Sequence, residues 1–230
     1  MFRHAKSLGC ALPNVLFLSP PFFPPMLPLP KLLRTCSIAD GEVRIDGQPV
    51  MAAPGPFEAF AEAAYRGLGV DYPKFHKMDN LSKLGFLAAE FLLAGTDLLA
   101  DTAPGRRGIV LGNATSSLDT DLRYQTQVAQ QRPSPALFVY TLPNIVLGEI
   151  CIRHGLKGES LLLVTPNYEA AAQVSYLAGR LADQTLTTCL GGWLDYAGSG
   201  YRAFLYVVGA SSDPSLPAFS AESVQMHFIS

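Results

Sequence analysis

The sequence predicts an α/β domain, and three stretches carry that expectation. Residues 162–170, Leu-Leu-Val-Thr-Pro-Asn-Tyr-Glu-Ala, read as an apolar strand ending at Thr165, a good helix N-cap. Pro166 then suits the first helical position, where its missing N–H costs nothing, so Asn167 is expected to open a helix. Its continuation to Ala182 is apolar on almost every side, which predicts a helix buried all round. The second stretch, residues 108–112 (Gly-Ile-Val-Leu-Gly), reads as a short buried strand. The third consists of two β-rich runs, 186–196 and 202–209, around Ala-Gly-Ser-Gly at 197–200, a hairpin with a four-residue loop.

The 230 residues carry a net charge of −2, with 49% hydrophobic and 16% charged residues. That apolar content is enough for one sizeable core, and the length suits one domain. A mean hydropathy of +0.21 with so few charges implies apolar surface covered by another chain. Seventeen Lys and Arg against nineteen acids, with no basic run, point away from nucleic acid. Cys10, Cys36, Cys151 and Cys189 lie far apart without C-x-x-C spacing, and the four histidines are scattered. Reduced thiols packed as small hydrophobes in a cytoplasmic protein are the reading, with no metal site.

In chain order, residues 1–31 form a Pro-rich apolar extension, expected to be irregular. Pro13 and the proline cluster from Pro20 to Pro25 break its apolar run, which suits neither a secretory signal nor a membrane span. The domain is expected over 32–210. Residues 36–50 read as a first strand bent into a hairpin, with Asp40-Gly41 and Asp46-Gly47 as turn signals. Phe57, Phe60, Ala61, Ala64 and Leu68 share one helical face. Asp79 is a cap for a second helix from Asn80 to about residue 100, and Leu142-Pro143-Asn144 starts a third that runs through His154 to a Gly155 C-cap. Ser160 to Val164 is the next strand. Residues 113–117, Asn-Ala-Thr-Ser-Ser, follow a strand but lack the Gly-x-x-x-x-Gly-Lys of a nucleotide cradle. Ser199 lacks the strand-to-helix setting of a nucleophile elbow. Residues 211–230, with Asp213-Pro214 and Pro217, read as an irregular tail.

Leu-Pro-Asn at 142–144, Gly-Glu-Ile-x-Ile-Arg-x-Gly-Leu-Lys-Gly at 148–158 and the strand into Val164-Thr165 and a helix resemble the N-terminal half of β-ketoacyl-acyl-carrier-protein synthases, of the thiolase-like group. Lys-Met-Asp-x-Leu-Ser-Lys-Leu at 77–84 is similar to the same family, and the resemblance spans about residues 36–209. It implies half of a thiolase-like fold: a mixed five-stranded sheet with helices on both faces. It also implies that the strand at 160–164 pairs with its twin across a dimer. The position matching Asn167 is the family's acyl-carrying cysteine, so the resemblance implies no catalytic residue here. A carboxamide is not nucleophilic at neutral pH, and it forms no anion for a helix terminus to stabilise. The family's two catalytic histidines lie in the C-terminal half, which the resemblance does not reach.

A ketosynthase relative with an amide at that position looks like a chain length factor, the inactive subunit that pairs with an active ketosynthase and shapes its acyl tunnel in polyketide, aryl-polyene or fatty-acid-like biosynthesis. The resemblance implies a full-length ketosynthase and an acyl carrier protein as partners, with no cofactor of the chain's own and the carrier's phosphopantetheine as an indirect one. Tyr124, Phe138 and Tyr140 become candidates to line the tunnel, or else ordinary core aromatics. Lys74, Lys77 and Lys83 become candidates to meet the carrier protein, or else lysines of a solvated loop. The rival reading is an acyltransferase or malonyl-thioester decarboxylase using Cys189 or Ser199, and a third is a fragment without function.

Overall fold

A computed structural model describes residues 28–198 and 200–229. The first strand, β1 (Pro30–Ala39), turns at Asp40-Gly41 into β2 (Glu42–Ile45) and again at Asp46-Gly47 into β3 (Gln48–Ala52). All four turn residues have positive φ, from 49° to 78°, as two-residue turns matched to strand twist require. Helix α1 (Phe57–Leu68) ends on Gly69 in the left-handed conformation. A 3-10 turn at Pro73–Lys77 leads to α2 (Asn80–Leu93), whose first turn is capped by Asp79 accepting from the Ser82 N–H at 2.9 Å. Next come β4 (Arg107–Asn113), α3 (Leu118–Ala129), the short α4 (Pro135–Val139), α5 (Ile145–His154) with its left-handed Gly155 cap, and β5 (Ser160–Val164). Helix α6 (Ala170–Ala182), the hairpin β6 (Thr188–Ala197) and β7 (Gly200–Ala210), and α7 (Ala221–Ile229) complete the described chain.

The seven strands form one mixed sheet in the order β3-β2-β1-β7-β6-β4-β5, with β4 parallel to both β5 and β6 and all other pairs antiparallel. Along β7 the side chains alternate strictly. Ala203, Leu205 and Val207 face a larger core under α1, α2 and α5, and Phe204, Tyr206 and Val208 face a smaller one under α6 and α7. Helices therefore cover both faces, as the resemblance implies.

The structure corrects the sequence reading at several points. The sheet has seven strands instead of five, because both Asp-Gly pairs close tight turns and the bent first strand is really three. Helix α2 stops at Leu93, where Gly95 takes φ +66°, and residues 94–100 return as turns. Pairing of β6 with β7 continues to Ala197↔Gly200, so the loop is two residues, not four. The tail contains α7, whose first turn is held by the Ser220 hydroxyl accepting from the Ser223 N–H at 3.1 Å.

Helix α6 differs most. Thr165 does not cap it; its hydroxyl donates to the Asn167 carbonyl at 2.8 Å and closes a small turn, and the helix begins only at Ala170. Nor is it buried all round. Ala170, Gln173 and Leu177 face the sheet, while Ala171, Ala172, Ser175, Tyr176 and Gly179 are exposed. Its alanines count as apolar by composition but each hides little area.

The close approach of β6 to β7 depends on Gly192, at φ +144°, where a Cβ would lie 1.9 Å from the Phe204 carbonyl oxygen. That contact is with backbone and cannot be relieved by a rotamer change. Gly192→Ala is expected to cost at least about 2 kcal/mol, read as a lower urea midpoint at unchanged slope.

Candidate functional site

The chain crosses from β5 to α6 through residues 165–169, at the C-terminal ends of the parallel strands β4, β5 and β6, the side of an α/β sheet where ligands bind. In this loop Asn167 is exposed and Tyr168 is buried. The Tyr168 ring packs on Phe228 of α7 at 4.6 Å, Trp193 at 5.8 Å and Phe204 at 6.2 Å. Burial pushes its phenol well above the usual range, so it stays protonated and donates to Gln173 Oε1 at 3.4 Å.

Gln173 is the hub beneath the loop. Its Nε2 donates to the Gly192 carbonyl at 2.7 Å, and its Oε1 accepts from the Gly192 N–H at 3.2 Å and from the Tyr206 hydroxyl at 3.3 Å. On the neighbouring strands, Asp195 Oδ1 accepts from the N–H groups of Ala114 and Thr115 at 3.2 and 2.9 Å and from the Thr115 hydroxyl at 2.7 Å. Asn113, almost wholly buried, donates to the Leu194 carbonyl at 2.6 Å and accepts from the Ser116 N–H. These contacts fix the loop after β4 beside the crossing. Together they leave an open pocket of about 520 Å³ whose walls include Asn167, Trp193, Asp195, Arg202, Gln225 and Phe228. Sequence reasoning singled out Asn167 but missed Gln173, Asp195, Arg202 and α7. The available signals were a lone Gln in an apolar helix and the Gly191-Gly192 pair inside a strand.

The other candidates do not converge on this pocket. Tyr124 and Phe138 meet, with ring centroids 5.4 Å apart, on the outer side of α3 and α4, where Phe138 is 58% exposed. Tyr140 is buried apart from them and donates to Glu149 Oε1 at 3.0 Å. The three lysines also divide. Lys74 Nζ lies 2.8 Å from Glu149 Oε2, a carboxylate only 3% exposed, so its charge neutralises a buried acid. Lys83 lies over the Phe75 ring at 5.5 Å, and Lys77 is exposed. Cys189 is fully buried and its thiol is pushed up to about 12 by burial, which leaves no thiolate for nucleophilic attack. Ser199 and residues 1–27 lie outside the described residues.

A second buried charge cluster joins α2 to α5. Glu90 takes Arg153 Nε and Nη2 at 2.5 and 3.2 Å, and His154 Nε2 sits 3.4 Å from the same carboxylate.

No protein-family model and no curated protein matches the sequence. Solved structures do match over most of its length. One is the ishigamide ketosynthase/chain length factor, at 16% identity and a TM-score of 0.60, covering 83% of this chain and 64% of that one. Another is a type II polyketide synthase acyl-carrier protein in complex with its ketosynthase, at 14% identity and a TM-score of 0.55, covering 80% of this chain and 62% of that one. A third is a ketosynthase in complex with its chain length factor from Xenorhabdus doucetiae, at 14% identity and a TM-score of 0.53, covering 86% and 90%. The fold is that of the thiolase-like ketosynthases. The chain spans less than two-thirds of the length of the first two of these structures. Among its described residues no helix is long and apolar enough to cross a membrane.

Within this ketosynthase fold His154 is a structural group with a pH signature. Burial is the largest influence on it and lowers its pKa, against the opposing pull of Glu90. The folded state then binds fewer protons than the unfolded chain as pH falls through the ordinary histidine range, so its stabilisation is present above that range and lost below it. The chain is expected to lose stability between about pH 7 and pH 5, and His154→Gln to flatten that part of the profile of urea midpoint against pH.

Proposed function

We propose that this chain is a non-catalytic ketosynthase-like subunit of the chain length factor type, pairing with an active β-ketoacyl synthase and shaping its acyl tunnel in polyketide or related biosynthesis. The observation that carries the reading is Asn167, an exposed amide on the strand-to-helix crossing where the resemblance puts a cysteine. Two surface features support a partner. Leu118 and Leu122, one turn apart on α3, are 47% and 55% exposed, and Phe138, Val139 and Leu142 beside them are 58%, 48% and 58% exposed. Strand β5 is an edge, paired only with β4 among the described strands, and Val164 on it is 54% exposed. A partner strand added to that edge and an apolar partner face on α3 and α4 satisfy both.

On this reading Tyr124 and Phe138 approach the tunnel from the partner side, and Tyr140 is core. Lys77 and Lys83 keep their charges available to an acyl carrier protein whose phosphopantetheine delivers the chain. Lys74 is committed to Glu149. The chain is cytoplasmic and needs no cofactor of its own.

Co-expression with a full-length ketosynthase that retains its cysteine and histidines is expected to give a stable complex. Leu122→Asp and Phe138→Asp should each weaken it at least about tenfold while leaving the isolated chain folded. Turnover of malonyl or acyl thioesters by the isolated chain would favour the acyltransferase or decarboxylase reading instead. Insolubility both alone and with any synthase would favour a fragment without function.

Sulfur alone does not restore the nucleophile on this reading. The first helical turn lies at residues 170–172, beyond residue 167, so an Asn167→Cys thiol is expected to titrate near the ordinary value of about 8.5, measured as the difference in thiolate absorbance between variant and parent. A value well under 7 would mean that the loop does stabilise an anion.

A further inference from the structure

We infer that helix α7 is a latched lid over Tyr168 and Trp193 in the wall of the pocket beside Asn167. The inference goes beyond the pairing proposed above and stands whether or not a ketosynthase partner exists.

The base of the lid is firmly tied. Leu32 N–H donates to the Pro217 carbonyl at 3.0 Å, Phe219 N–H to the Pro30 carbonyl at 3.1 Å, and Lys31 Nζ to the Leu216 carbonyl at 3.0 Å. The Phe219 ring lies 5.9 Å from Tyr206. These contacts pin residues 216–219 to the start of β1 and make the junction at Ser220 a natural hinge.

Beyond the hinge α7 rests on α6 and on the rings of the smaller core. Val224 is the one fully buried apolar side chain of α7, and near the far end Phe228 packs on Tyr168 at 4.6 Å and Phe204 at 5.8 Å. Arg202, an exposed residue of β7, closes over that end: its guanidinium lies 4.1 Å from the Phe228 ring centroid and Nη2 donates to the Phe228 carbonyl. One side chain thus supplies both a cation–π contact and a positive cap for the last turn. A helix of nine residues does not hold together alone in water, so α7 stays helical only while packed. Its other side carries Met226 and Ile229, 58% and 72% exposed, so one apolar face is packed and the other is open.

Gln225 and Phe228 form the α7 wall of the pocket, and Asn167, Trp193, Asp195 and Tyr201 belong to the fixed body. Release of the Arg202 latch swings that wall away and uncovers Tyr168 and Trp193. Asn167 is exposed with α7 in place, so what α7 controls is access to the buried Tyr168 and Trp193 behind it.

Trp193 is the only tryptophan of the chain and is 5% exposed in the closed arrangement, so it reports the opening directly. In native-state hydrogen exchange of the full chain, α7 amides are expected to exchange at least about tenfold faster than those of β6 and β7. Arg202→Gln and Phe228→Ala are each expected to raise the acrylamide quenching constant of Trp193 about twofold while thermal unfolding stays cooperative. Protection of α7 equal to that of the central strands, or Trp193 quenching unchanged in both variants, would overturn the lid. The exchange measurement uses the parent chain and decides the matter even if a variant fails to fold.

Discussion

One buried carboxamide holds the pocket end of this sheet together. Gln173 pairs with both the N–H and the carbonyl of Gly192, and so gives a helix side chain the hydrogen-bonding role of a neighbouring strand. Such a side chain needs room at the sheet surface, and glycines provide it. A Cβ at Gly112 would lie 3.1 Å from Gln173 Nε2 and 2.7 Å from the Trp193 ring, and a Cβ at Gly191 would meet the Tyr206 ring at 2.2 Å. Two glycines, Gly112 and Gly191, therefore admit one Gln, one Trp and one Tyr into a layer where every polar atom must find a partner. The position of α6, the inward turn of Tyr168 and the shape of the loop carrying Asn167 all follow from that layer.

Charge in the rest of the molecule is scarce, and much of what there is lies between elements. The Lys74–Glu149 pair joins the 3-10 turn to α5, and Glu90 with Arg153 joins α2 to α5. Loss of one partner from such a pair leaves an uncompensated buried charge, which is far costlier than loss of a surface pair. This accounts for the way the cationic cluster of the sequence dissolves in three dimensions. Lys74, Lys77 and Lys83 are close in the chain, but one of them answers a carboxylate 75 residues away.

The parts of the fold legible in the sequence are those governed by local chemistry. The Asp-Gly turns, the Asp79 cap, the Gly155 cap and the helical face of Phe57, Phe60, Ala61 and Ala64 all carry their signals within a few residues. The errors arise where tertiary contacts decide. Thr165-Pro166 has the form of a helix start, yet the Thr165 hydroxyl is engaged by the Asn167 carbonyl and the helix waits three residues. Helix α7 has no strong amphipathic pattern of its own, and its existence depends on Tyr168, Phe204 and Arg202, which lie far back in the chain. Gln173 was legible only as an oddity, since its partners on β6 and β7 come later in sequence and register with it only once the sheet forms.

The later start of α6 bears on the proposed non-catalytic reading more deeply than the side chain at 167 does. A nucleophilic thiol in a ketosynthase needs an environment that favours the anion, and the free N–H groups and dipole of a helix terminus are the usual source. Here those N–H groups begin at residue 170, and the residue that precedes them is Glu169, whose negative charge is compatible with the helix end but repels any second anion nearby. On the proposed reading the chain has lost the electrostatics of the crossing along with its sulfur. At the crossing itself Tyr168 packs against Trp193 and is covered by Phe228, an arrangement that on the same reading serves to hold shape at the edge of a partner's tunnel.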